Sequence, residues 1–281
     1  MRSLGIMQGR LTPSGGRGIQ FFPFDEWKDE FSNGKKIGIQ EIEWIFDYDR
    51  YEDNPLWTEA GYRQILNMCE DTGVTVRSVC FDYFMRRPFF KKENAEREEL
   101  RNENLQITQR VLQGMSVIGA SLLEIPLVDD SSMKTDHEKE MVRGFVYEVV
   151  KLAERFEVQI SLETDLPPGA FKEFLDSIGC EIYANYDSGN SSGLGYDHEE
   201  EIMSLGDYIA NVHIKDRKLH GTTMQLGTGS ADFDKVFSSL RRIGYNKSII
   251  LQAARGEDGQ EAENIQQQLE FIKDYCVKYS L

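Results

Sequence analysis

FKEFLDSIGCEIYANYD, residues 171–187, holds one complete structural unit. Phe171, Phe174, Leu175 and Ile178 recur at helical spacing and share one helix face. Gly179 follows them. Past a helix end, glycine takes the left-handed conformation that other residues resist, so it reads as a stop. EIYANYD then reads as a short strand ending in Asp187. The phrase recurs outward along the chain, with Gly38 before EIEWIF, Gly73 before VTVRSVCF and Gly119 before SLLEIPLV. It recurs again with Gly206 before DYIANVHI and Gly244 before NKSIILQ. QISLETD follows Phe156 and Glu157 without a glycine, and LGIMQGRL is the opening run, making eight apolar runs. Between the runs the spacing is helical, as in Phe145, Val149, Leu152 and Phe156 or Phe233, Val236, Phe237 and Leu240. Near-continuous apolar runs suit parallel strands buried on both faces. Eight such units of about 35 residues predict a single-domain (β/α)8 barrel over residues 1–281. A doubly wound open sheet is the alternative, but no Gly-rich phosphate fingerprint follows the first run.

Composition narrows the function classes. Hydrophobic residues at 40% and charged residues at 28% describe a globular chain able to bury a core. A net charge of −16 repels phosphate backbones, so no nucleic-acid or membrane partner is expected. MRSLGIMQGRLTPSGG lacks the apolar core of a signal peptide, and no stretch is long and apolar enough to span a bilayer. Cys69, Cys80, Cys180 and Cys276 form no CxxC pair and read as reduced core thiols of a cytoplasmic protein.

A barrel of this kind carries its active site at the C-terminal strand ends. Reading each end in turn gives Gln8 and Arg10, Glu43 and Asp47, Asp82, then Glu124. Glu163 and Asp165 follow, then Asp187 and Asn190, then His213, Asp216 and Arg217, then Gln252 and Arg255. Arg10, Asp82, Asn190, Asp216 and Arg217 are candidate substrate contacts. Glu163, Asp187 and His213 end three consecutive strands, spaced about 4.8 Å apart, so they can converge on one ion. Two carboxylates and an imidazole suit a hard or borderline divalent metal such as Mn2+, Mg2+, Co2+ or Zn2+. Alone, each residue could cap a loop or pair with a base; three in register outweigh that.

Arg86 and Arg87 in DYFMRRPFF could grip a phosphate with their forks, or neutralise the acidic rim. Lys215 reads as rim-neutralising. His137 and His198, in DHEKE and DHEEE at apparent helix starts, are expected to be exposed. His220 lies in the loop after the seventh run, where substrate contact and plain loop polarity are equal accounts.

LETDLPP, ANYDSGN, VHIKDR and LGTGSADF together resemble the xylose-isomerase-like sugar (phosphate) isomerase/epimerase barrels, over essentially the whole chain. Within that family the look is nearest to the pentulose-5-phosphate 3-epimerases. The resemblance implies a divalent metal, Mn2+ foremost, held by Glu163, Asp187 and His213, with Glu163 also a catalytic acid/base and Glu43 a substrate contact. It leaves a homo-oligomer open. The family's fourth ligand is a glutamate on strand eight, where SIILQAARG places Gln252. Gln252 can offer its amide oxygen as a ligand in this catalytic position but cannot shuttle a proton.

Isomerisation needs one base on one face of an enediolate, whereas epimerisation generally needs an acid/base on each. The sequence therefore points to a metal-dependent isomerase of a small ketose or ketose phosphate, or an epimerase that recruits Asp165, Glu43 or Asp82. A catalytically silent sugar-binding barrel is the alternative raised by Gln252. An endonuclease IV-like hydrolase would need histidines on early strands, and the first four runs contain none.

Overall fold

The computed structural model describes residues 3–281. Eight parallel strands form the barrel: β1 (Leu4–Met7), β2 (Glu41–Ile45), β3 (Ser78–Cys80), β4 (Leu122–Leu127), β5 (Gln159–Thr164), β6 (Tyr183–Asp187), β7 (Ile209–Ile214) and β8 (Ile249–Leu251). They close in the order β1-β8-β7-β6-β5-β4-β3-β2. Closure eliminates the open-sheet alternative and leaves no exposed strand edge. Gly179 ends the helix Pro168–Ile178 at φ 74°, as the quoted stretch predicts.

The chain falls into two compact units. One runs to Glu43, resumes over Met68–Thr75, and continues from Ala184 to Leu281; the other comprises Trp44–Asn67 and Val76–Tyr183. In the first unit β1 pairs with β8 and with the start of β2, β8 with β7, and β7 with β6. In the second, the end of β2 pairs with β3, β3 with β4 and β4 with β5. Phe84, Phe89 and Phe145 anchor the second unit's core, with Phe145 5.4 and 5.0 Å from the other two rings. Among the described residues no helix is long and apolar enough to cross a membrane.

Every residue of β2, β4 and β7 is buried, yet each carries polar side chains: Glu41 and Glu43, Glu124, and Asn211 and His213. Strand alternation puts Glu41 and Glu43, or Asn211 and His213, on one face. Gly5 makes room for this polarity, since a Cβ there would lie 2.6 Å from Glu41 Cγ. The cysteines depart from expectation: Cys80 and Cys276 are buried, whereas Cys69 and Cys180 are only half-buried.

Candidate metal centre

Asp187 ends β6 and also caps the short helix Ser188–Leu194. Its Oδ1 accepts from Gly189 N at 2.7 Å and Asn190 N at 2.8 Å. Its Oδ2 is turned elsewhere, 3.9 Å from His213 Nδ1 and 3.6 Å from Lys215 Nζ. One carboxylate thus secures a helix with one oxygen and offers the other to the site. Lys215 lies beside Asp187 as a rim-neutralising cation should.

His213 ends up buried on β7, with Nε2 2.6 Å from Glu43 Oε1. The other Glu43 oxygen accepts from Asn211 Nδ2 at 2.7 Å. A carboxylate accepting at both oxygens forces the imidazole proton onto Nε2, leaving the Nδ1 lone pair as the only ligating nitrogen. Asn185 Nδ2 donates to that nitrogen at 3.0 Å, so an ion would have to take the lone pair in its place. Glu43 therefore holds His213, as second carboxylates commonly hold metal-ligating imidazoles.

Glu163, Asp187 and His213 are all buried, and one ligand atom from each lies within 4.8 Å of the others. Two carboxylates and a neutral imidazole carry −2, matched to a divalent ion. Gln252 follows β8 directly and bonds its backbone N to Ile214 O at 3.0 Å. Its Nε2 donates to Gln20 Oε1 at 2.9 Å, while its Oε1 is buried with no hydrogen-bond partner among the described residues. A buried acceptor left in that state normally costs about 1–3 kcal/mol, so an ion's ligand position accounts for it well. The donor set fits a hard or borderline divalent metal.

Arg10 is buried and donates from Nε to Ala253 O at 3.0 Å. Asn190 Oδ1 accepts from Lys215 Nζ and Arg217 Nη1 at 3.3 and 3.1 Å. Asp82 is buried at the start of the turn Tyr83–Arg86, 3.2 Å from Cys80 Sγ. Arg86 is exposed. Three others are likewise engaged within the protein. Asp216 accepts from Gly229 N and Ala231 N at 2.8 and 3.0 Å, fastening the LGTGSADF loop. Arg217 bonds Gly221 O, and the Arg87 fork meets Glu103 at 2.5 Å. Asp47 is pushed above the usual carboxylate range by burial.

His137 is exposed as expected, but His198 is not. It is 3% exposed, with Nδ1 2.7 Å from the Tyr186 hydroxyl, and burial lowers its pKa. Asp197 does cap the helix His198–Leu205, so the helix start was legible and the buried first turn was not. Sequence reading also missed Gln20, Asn185, Asn211 and Glu30. Asn185 and Asn211 each precede a ligand by two, the spacing that puts both on one strand face.

A family model described as the xylose isomerase-like TIM barrel matches residues 31–275. The chain belongs to that family. Among curated relatives in the xylose isomerase-like family, L-ribulose-5-phosphate 3-epimerase UlaE of Escherichia coli (strain SMS-3-5 / SECEC) is 25% identical over 231 residues, 78% of this chain and 79% of its own. Among solved structures, one titled L-ribulose 3-epimerase superposes with TM-score 0.77 at 16% identity, covering 100% of this chain and 96% of its own. D-psicose 3-epimerase from Clostridium cellulolyticum H10, solved with D-tagatose, gives 0.76 at 15% over 97% and 99%. The IOLI protein, titled as having a binding zinc atom, gives 0.76 at 17% over 99% of each chain. At these identities the structures establish that the family fold is shared.

Proposed function

We propose that this chain is a metal-dependent isomerase or epimerase of a small ketose or ketose phosphate, working through an enediolate as one barrel domain. The observation that carries the reading is the buried Glu163–Asp187–His213 group, with ligand atoms within 4.8 Å. The single-domain reading is supported by β2, which continues unbroken from Glu43 to Trp44. Asp187, His213 and Gln252 would hold a divalent ion with Glu163. When bound, that ion supplies Lewis acidity toward a ketose carbonyl. Glu163 takes the proton from the carbon beside the carbonyl and returns it, a role worth typically about 10²–10⁴-fold in rate. Glu43 keeps the His213 proton on Nε2. Gln252 holds no transferable proton, so one face of the enediolate lacks the second family carboxylate. Of the substitutes, Asp165 is paired with Lys134 at 2.8 Å and Glu43 is engaged with His213.

The L-ribulose-5-phosphate 3-epimerase relative favours 3-epimerisation of a pentulose 5-phosphate, and the lost carboxylate favours isomerisation. NMR in D2O with added Mn2+ decides between them, using L-ribulose 5-phosphate and free ketoses as substrates. Deuterium entering at C3 with formation of the C3 epimer supports the epimerase. Aldose formation with exchange at C1 of the ketose supports the isomerase. Gln252 also favours a second reading, a silent sugar-binding barrel. Saturable ketose binding with neither exchange nor interconversion would establish that reading instead.

A further inference from the structure

Glutamine at position 252 raises a question that glutamate would not: which end of the amide faces the site. An amide presented nitrogen-first would repel a cation, so a neutral fourth ligand works only if its orientation is fixed. The neighbouring hydrogen bonds supply a direction. Arginine carries donors and no acceptor, and Arg10, 3% exposed, places Nη2 3.4 Å from Gln20 Oε1. Gln20 is thereby obliged to show its oxygen. The same oxygen lies 2.9 Å from Gln252, which must answer with Nε2 and turn Oε1 the other way.

The loop bearing Gln20 is fastened independently on two sides. Arg255 donates to Gly9 O, to Thr12 O at 3.2 Å and to Ile19 O at 3.1 Å. Glu30 accepts from Gly9 N at 2.8 Å, Leu11 N at 3.0 Å and Thr12 Oγ1 at 3.2 Å. Gln20 therefore belongs to a braced loop and has a defined position from which to act.

We propose that Gln20, polarised by Arg10, is a positioning residue that locks the Gln252 amide with Oε1 toward the metal position. The inference rests on the proposed metal centre. It explains how a chain without the family's fourth carboxylate can keep a four-residue ligand set, with orientation replacing charge.

Mn2+ affinity, measured by EPR titration on the full chain, tests it without reference to turnover. Gln20→Leu keeps the side chain's bulk and removes the acceptor, so Mn2+ should bind about 10-fold more weakly, the lower end for loss of an outer hydrogen-bond partner. Gln20→Glu restores an acceptor to both Arg10 and Gln252 and should bind Mn2+ at least as tightly as wild type. Gln252→Ala should be at least as weak as Gln20→Leu. Wild-type affinity in Gln20→Leu, with weakened binding in Gln252→Ala, would overturn the orienting role. Weak binding in Gln20→Glu equal to that of Gln20→Leu would overturn it too, since packing rather than an acceptor would then matter. His213→Ala separates the two levels. If it leaves Mn2+ binding intact, the metal centre itself is wrong; if it abolishes binding while Gln252→Ala does not weaken it, only the present inference falls.

Discussion

His213 and Gln252 stand on and just beyond neighbouring strands, yet they are held by opposite means. His213 is gripped by a charged carboxylate, Glu43, whose two oxygens decide where the ring proton sits. Gln252 is gripped by a neutral amide, Gln20, which decides only which end of the side chain turns inward. The first partner comes from a buried barrel strand, the second from a long loop. A charged partner tunes the basicity of its ligand as well as its direction, and a neutral one sets direction alone. The strand side of the centre should therefore tolerate change less than the loop side.

The largest test concerns the loop side's own foundation. Burial pushes the Glu30 carboxyl up to about 7 from 4.5. Between those values the folded chain holds a proton that the unfolded chain has lost. This group's contribution is thus fully present below about 4.5 and disappears as pH rises through 7. Relative to Glu30→Gln, wild type should lose ~3 kcal/mol of stability between pH 4.5 and pH 8. Urea unfolding of both proteins at the two pH values checks this. A difference that stays constant would mean that the loop is braced without a titrating group.

Next in size is the charged grip itself. Glu43→Gln places an amide nitrogen against one of two donors, Asn211 or His213. It should weaken Mn2+ binding by about 10–100-fold, more than Gln20→Leu. If isothermal titration finds the two variants equal, charge adds nothing to orientation and the contrast collapses.

Gln252→Glu sharpens the comparison from the other side. It makes the centre three-carboxylate and should tighten Mn2+ by about 10-fold while adding 3-epimerase activity on a ketose. The new carboxylate also confronts Gln20 Oε1, which Arg10 holds in place, and that repulsion offsets part of the gain. If wild type already epimerises at the variant's rate, another carboxylate supplies the second base. The smallest effect is expected at the rim. Arg87 is engaged by Glu103, so Arg86→Met should raise KM for a phosphorylated ketose by about fivefold and spare the free sugar, while Arg87→Met changes the ratio less. Steady-state kinetics on the two substrate forms checks it.

The barrel was legible because most units state their own period, stop and strand, as Phe171–Asp187 does. Glu163, Asp187 and His213 were legible because each is a polar residue terminating an apolar run. Asn185 and Asn211 were within reach of the same logic, since strand alternation extends it by two residues. Gln20 was not, for it lies in a segment without period, and only the fold brings it to Gln252. His198 shows a different limit: Asp197 marks where a helix begins but not which way its first turn faces. The Arg86–Arg87 pair shows another, because sequence cannot say that Glu103 claims one guanidinium.

Asp187 has a consequence for observing this molecule. One of its oxygens receives the Gly189 and Asn190 amide protons, and the other lies beside His213. Positive charge arriving at the second oxygen draws electron density from the first, loosening its hold on those two protons. With a diamagnetic ion such as Mg2+ or Zn2+ in place of Mn2+, their resonances in an amide NMR spectrum should move together with occupancy. Gly189 and Asn190 would thus gauge an ion bound at the proposed centre, in a protein that is not turning over.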